Sequence, residues 1–221
     1  MSRRFSIKPI LYSYFRSSSA HRVRIALNIK GIDYEYRAIN LIKEGGEQHS
    51  VEYKKLNPKE EVPFFLEGEH GIGQSMAICL FLDEKFPGPK LFPMDSFKKA
   101  FCIQQCEIIN SGIQPFHNLK VLKELKKRFQ ISEDDKNSWV KFWVEEGLRP
   151  LELTLKPISK KYSLGDDLSA LDAFIIPQVF TCMRYNISLE NFPTIKNIFD
   201  NCQKLPAFQK AEPSKQPDFI P

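Results

Sequence analysis

Hydrophobic positions along this chain change period once, and the change divides it in two. Residues 8–14, Lys-Pro-Ile-Leu-Tyr-Ser-Tyr, form a short run rich in β-formers with a proline near its start, which predicts a strand. From Ser18 onward Val23, Ala26 and Leu27 recur at helical spacing, with serines ahead as caps and Gly31 as the stop. Alternation over Tyr34–Ile39 predicts a second strand, the polar run Lys43–Gln48 a loop, and Val51–Leu56 a short helix. Asn57-Pro58 breaks the chain before a third strand at Val62–Leu66. Glu67–Gly71 then turns a hairpin into a short strand around Ile72, and Gln74-Ser75 opens a helix through Met76, Ile78, Leu80 and Leu82. The order is β-α-β-α-β-β-α.

Three prolines and a glycine within Phe86–Pro93 mark the end of this pattern. Beyond them strand-like alternation disappears, and helical periods cover about 96–129, 134–159, 169–185 and 194–201, with a short helix around Ala207. Pro115 predicts a break near Gly112–Pro115, and Pro177 a bend in the third of these helices. The expected fold class is α+β: a sheet-containing domain over 8–87, a linker over 88–95, and an all-helical domain over 96–218.

Composition supports a folded chain, since 42% hydrophobic and 12% aromatic content over 221 residues is enough for a substantial core. The net charge of +5 comes from 32 basic and 27 acidic residues scattered along the chain, which argues against a nucleic-acid binder. The basic opening Met1–Ser6 is not followed by an apolar run long enough for a secretory leader or a membrane span, so a soluble, intracellular protein is expected. Cys79, Cys102, Cys106, Cys182 and Cys202 are odd in number and mostly sit in apolar helical patterns, as reduced buried thiols do. Cys102 and Cys106 share a helix face, but no histidine stands at a ligand-like spacing from them, and no metal site is expected.

Candidate chemistry concentrates in Ser17-Ser18-Ser19-Ala20-His21-Arg22, a run of hydroxyls where a strand gives way to a helix. Unpaired N–H groups and the dipole of the first turn stabilise an anion there, and a serine hydroxyl that donates to a thiolate lowers the pKa of a bound thiol. The same serines also suit a plain helix cap. Val62-Pro63 opens a strand, and if that peptide is cis, the backbone of Val62 turns outward to pair with a peptide ligand. Ser75 offers its hydroxyl and first-turn amides to a carboxylate, though a strand-edge proline and an ordinary cap account for both elements equally well. Ser169 and Asp172 have the S-x-x-D spacing of a capping box, a structural feature.

The order of these elements resembles the zeta-class glutathione transferases, the maleylacetoacetate isomerases, from about Ile10 to Asp218. Ser17–Leu27 matches the family's Ser-Ser-Cys-x-Trp-Arg-Val-Arg-Ile-Ala-Leu motif, Asn40–Gly46 its Asn-Leu-Ile-Lys-x-Gly-Gly loop, and Asn57-Pro58 with Val62-Pro63 its Asn-Pro…Val-Pro element. Gln74-Ser75, Gly112–Leu119, Gly165–Asp172 and Gln216–Asp218 match further downstream. The resemblance implies a thioredoxin-like N-terminal domain that binds glutathione as cofactor, a helical domain for a small electrophilic dicarboxylate, and a cytoplasmic homodimer. It implies that Ser17, assisted by Ser18, stabilises the thiolate. Ser19, Val62, Pro63, Gln74, Ser75 and Gln114 complete the glutathione side, and Arg184 and His21 serve the substrate.

Departures from the pattern qualify what the resemblance implies. Ser19 stands in place of the motif cysteine, and His21 in place of tryptophan, which introduces a side chain able to titrate near neutrality. Glu60 and Glu61 stand where the family has lysine and glutamine near the glycyl carboxylate, a repulsive arrangement unless Lys59 or His49 compensates it. Phe64, in place of threonine, is expected to alter the pocket. Transfer to another electrophile, or a catalytically silent binding protein, are the alternatives these departures leave open.

Overall fold

A computed structural model describes residues 8–220 of the chain; the basic opening stretch lies outside the described residues. Four strands, β1 (Ile10–Ser13), β2 (Glu35–Ala38), β3 (Phe64–Glu67) and β4 (His70–Gly73), form one mixed sheet in the order β2-β1-β3-β4. Parallel pairing of β1 with β2 sets Leu11 opposite Tyr36, and antiparallel pairing with β3 sets Tyr12 opposite Phe64. Helix α1 (Ser18–Ile29) makes the crossover between the parallel strands, α2 (Val51–Leu56) precedes β3, and α3 (Ser75–Lys85) follows the hairpin and packs on α1. This is the thioredoxin-like arrangement the element order implied.

Two compact units result. The first runs to Leu91 and takes up the chain again from Pro206, while the second covers Phe92–Leu205. The expected helical domain over 96–218 therefore ends differently. Helix α9 (Pro206–Gln209) and the tail after it pack on the first unit, where Asn28 Nδ2 donates to Ala207 O at 2.9 Å and Arg24 Nε to Ala211 O at 3.0 Å. Within the first unit a buried Lys30–Asp83 ion pair, 3.4 Å apart, also anchors the proline-rich exit, because Lys30 Nζ donates to Pro89 O and Leu91 N to Asp83 Oδ1.

The second unit contains α4 (Ser96–Asn110), α5 (Leu119–Phe129), α6 (Glu133–Leu155), α7 (Ala170–Arg184) and α8 (Pro193–Cys202). The break expected near Pro115 is real: α4 ends at Asn110 and a 3-10 turn over Gln114–His117 leads into α5. Pro177, by contrast, sits within a helix that continues through it to Arg184. Helix α7 is buried without interruption from Ala170 to Val179, the pattern of a core helix surrounded by its neighbours. All five cysteines are free and buried, and no helix among the described residues is long and apolar enough to cross a membrane.

The capping box at the start of α7 ties its preceding loop down. Asp172 is fully buried; its Oδ1 accepts from Ser163 N and its Oδ2 from Ser169 N, both at 2.8 Å. We predict that Asp172→Ala, which strands two buried N–H groups, lowers unfolding free energy by about 3 kcal/mol in chemical denaturation. Ligand binding by the first unit should change little, and a loss of stability under about 0.5 kcal/mol would contradict the role.

Candidate functional site

Ser17 stands where β1 has ended and α1 begins. Its extended backbone (φ −70°, ψ 115°) makes it the N-cap, and its Oγ accepts from Ala20 N at 3.2 Å. A hydroxyl that accepts one bond still has its own proton to give, so the cap and the thiolate partner are compatible roles for one side chain. Ser17, Ser18 and Ser19 are all half-buried, and no acidic residue occupies the first turn of α1. The partial positive charge of that helix end is left for an external anion.

The second element is the entry to β3. The Val62-Pro63 peptide is cis, and the ladder of β3 begins two residues after Val62, with Phe64 opposite Tyr12 and Gly73. Tyr53 Oη and Asn57 Nδ2 both donate to Glu61 O at 2.7 Å and fix the approach to this peptide. Phe64 is 7% exposed, packed with Tyr12, Tyr53 and Val62 in a core cluster. A Cβ on Gly71 would come within 2.2 Å of its ring, so the glycine across the hairpin makes room for it.

The third element is the start of α3. Gln74 is exposed with φ 68°, an uncommon backbone for a side-chain-bearing residue, and makes no side-chain cap bond. Ser75 is 3% exposed, and its Oγ accepts from Arg22 Nη1 at 3.1 Å. Arg22 and Ser75 thus join α1 to the N-terminus of α3 through a buried charge-assisted bond. The first unit therefore carries Ser17, Ser18, Ser19, Val62, Pro63, Gln74 and Ser75. Gln114, half-buried on the 3-10 turn, and Arg184, exposed with its guanidinium 4.9 Å from the Tyr185 ring, belong to the second unit.

Two expectations change. His21 is 1% exposed, so it has no surface to offer a substrate, and burial followed by the nearby Arg24 charge holds its pKa well below the ordinary 6.5. It is neutral near neutrality, not a titrating group. The condition set for Glu60 and Glu61 is met: His49 Nδ1 hydrogen-bonds Glu60 at 2.5 Å, Lys54 Nζ lies 3.4 Å from Glu60, and Lys59 Nζ lies 3.8 Å from Glu61. Hydrogen bonding from His49, then from Lys54, holds the Glu60 carboxyl below its usual range. The motive for a silent-scaffold reading weakens accordingly.

The first unit thus combines a thioredoxin-like sheet, a serine-capped α1, a cis-proline strand entry and a second helix N-terminus. Residues 8–84 match the family described as glutathione S-transferase, N-terminal domain. Maleylacetoacetate isomerase of Rattus norvegicus is 44% identical over 211 residues, 96% of this chain and 95% of the rat protein. A bacterial maleyl pyruvate isomerase, described as a glutathione S-transferase of the zeta class, superposes with a TM-score of 0.92 at 36% identity, covering 96% of this chain and all of that one. Maleylacetoacetate isomerase from Anaeromyxobacter dehalogenans, solved with dicarboxyethyl glutathione and citrate in its active site, gives 0.86 at 35% identity over 97% of this chain and 94% of its own. This chain belongs to the glutathione S-transferase family, among its zeta-class and maleylacetoacetate isomerase members.

Burial of His21 sets a pH dependence with a definite sign. Its folded pKa is depressed, so the unfolded chain binds the proton first as pH falls, and stability is lost below about 6.5. Going from about pH 7.5 to about 5.5 should therefore cost stability through this one ring, on the order of 1 kcal/mol. We predict that denaturant unfolding of His21→Phe shows a shallower acid loss than the native chain by that amount; identical slopes would contradict it.

Proposed function

We propose that this chain is a glutathione-dependent cis–trans isomerase of the maleylacetoacetate type, with Ser17 as the group that stabilises the thiolate. The observation that carries the reading is the geometry of Ser17: its oxygen is committed to Ala20 N, which fixes the side chain, and its proton is left to donate at a helix end that favours negative charge. Bound glutathione would supply a thiolate whose reversible addition to the cis double bond makes that bond single and free to rotate, and whose expulsion as the same thiolate restores the double bond in the trans product. The chain's part is to hold and polarise. Ser17 Oγ donates to the sulfur, the first-turn amides at Ser18 and Ser19 add their dipole, the Val62 backbone pairs with the cysteinyl unit, and Gln74 with Ser75 takes the γ-glutamyl end.

A dicarboxylate electrophile is supported by the relative that holds dicarboxyethyl glutathione and citrate. Arg184 is the residue we assign to the substrate carboxylate and keto groups, with Gln114 kept on the glutathione side. We further assign the protein to the cytoplasm, where five free cysteines remain reduced, and to a homodimer, for which Met94 and Phe97, 80% and 78% exposed, supply apolar surface.

Titration calorimetry with glutathione, beside an assay of maleylacetoacetate isomerisation, tests the reading. The native chain should bind glutathione and isomerise, and Ser17→Ala should lose at least about tenfold in kcat with its fold intact. An unchanged rate would remove Ser17 as the thiolate partner. Arg184→Ala should raise KM for the dicarboxylate about tenfold and leave glutathione affinity unchanged; equal losses for both ligands would contradict its assignment.

A further inference from the structure

The loop that presents Ser17 is held from two sides, by Arg24 of the following helix and by Asp218 of the distant C-terminal segment. Ser17 N donates to Tyr14 O at 3.0 Å, and the same carbonyl accepts from Arg24 Nη1 at 3.3 Å. Arg24 Nη2 donates to Phe15 O at 3.2 Å and Nη1 also to Ser13 Oγ at 3.1 Å. On the other side the Asp218 carboxylate takes the loop's free amide: Phe15 N donates to Oδ2 at 3.0 Å, while Tyr36 Oη donates to Oδ1 at 2.6 Å. Phe219 then closes edge-on over Phe15, with ring centroids 5.5 Å apart. Both ends of the Phe15 residue, two positions before Ser17, are therefore fixed by Arg24 and by the tail.

Nothing in hydrophobic burial requires this arrangement of charge. Arg24 is wholly buried, and burial pulls its pKa down to about 10 although Tyr36, Tyr34 and Asp218 push it back up. It remains a cation near neutrality, and its fourth bond, to Ala211 O, reaches the tail as well. Tyr36, whose pKa burial and then Asp218 raise, stays a donor throughout. The C-terminal segment, Arg24 and β2 thus share one hydrogen-bond network whose output is the position of Tyr14 O and Phe15 N.

We propose that the C-terminal segment completes the thiol site, Asp218 and Arg24 acting as positioning residues that set where Ser17 Oγ stands. The proposal rests on Ser17 being the thiolate partner. An anion is stabilised only by donors within a few tenths of an ångström of the correct distance, so loosening the loop weakens the Ser17 bond without touching the ligand. The effect is specific: it raises the pKa of the bound thiol, which slows the reaction near neutrality and spares it in alkali.

The test is the pH–rate profile of isomerisation at saturating glutathione for the full chain and for Asp218→Asn, Tyr36→Phe, Ser17→Ala and Ser17→Ala/Asp218→Asn. Asp218→Asn keeps the shape and removes one of two acceptors; Tyr36→Phe removes only the hydroxyl that orients the carboxylate. We expect the acid limb of Asp218→Asn to move up by about half to one pH unit, with a rate loss of about three- to tenfold near neutrality that recovers in alkali. Tyr36→Phe should shift the same way by less, and serves if Asp218→Asn folds poorly. On the Ser17→Ala background Asp218→Asn should cost less than about twofold. An acid limb that Asp218→Asn and Tyr36→Phe leave in place, or full additivity with Ser17→Ala, would overturn the clamp alone. A Ser17→Ala limb that does not move would overturn the thiolate reading and the clamp with it.

Discussion

The first unit depends on one buried cation. Removing a guanidinium from water without compensation costs several kcal/mol, and leaving a buried ion pair half-made is strongly destabilising. Arg24 meets that cost with donors to Ser13 Oγ, Tyr14 O, Phe15 O and Ala211 O, so every one of those oxygens is held in place by the need to satisfy the charge. The end of β1, the loop before α1 and the C-terminal segment become a single rigid piece. Function then inherits its geometry from folding, because the carbonyl that Arg24 fixes is the one that receives the N–H of Ser17.

Electrostatics and backbone geometry are both compatible with the proposed peptide-thiol site. The first turns of α1 and α3 contain no acidic side chain, and each leaves amide donors for a ligand. The two glutamates beside Val62 are held by compensating charge from Lys54 and Lys59 and by a hydrogen bond between His49 and Glu60. Positive φ at Glu60 and Gln74 places backbone uncommon for side-chain-bearing residues at two points flanking the site, where such conformations gather. Ser17 links the two levels: it caps its helix with one lone pair, and the proposed thiolate role would use its proton.

Local patterns made most of the architecture legible. Period-2 and helical runs, Gly31, the Asn57-Pro58 break and the prolines of Phe86–Pro93 are short-range signals, and they place every strand and the crossover helix within a few residues of where they stand. Pro115 announced its break because residues near it could not continue α4. Three features had no local signal. The tail joins the first unit through Arg24, whose partner Ala211 is 187 residues away. The sequence offers His21 as a titrating group for the substrate, but α1 is buried at eight consecutive positions, Ala20–Leu27. Glu60 pairs with His49, as the sequence allowed, but also with Lys54 of α2, which nothing local pointed to.

The account stands on a thiolate stabilised at Ser17, and the most direct measurement is the pKa of glutathione's thiol when bound to the native chain, followed by the ultraviolet absorbance of the thiolate as pH is varied. A midpoint at least about one unit below the free cysteine value of about 8.5 is what the capped helix end and the donating hydroxyl predict. A midpoint equal to that of free glutathione, with binding intact, would show that the site holds the peptide without activating its sulfur and would contradict the account.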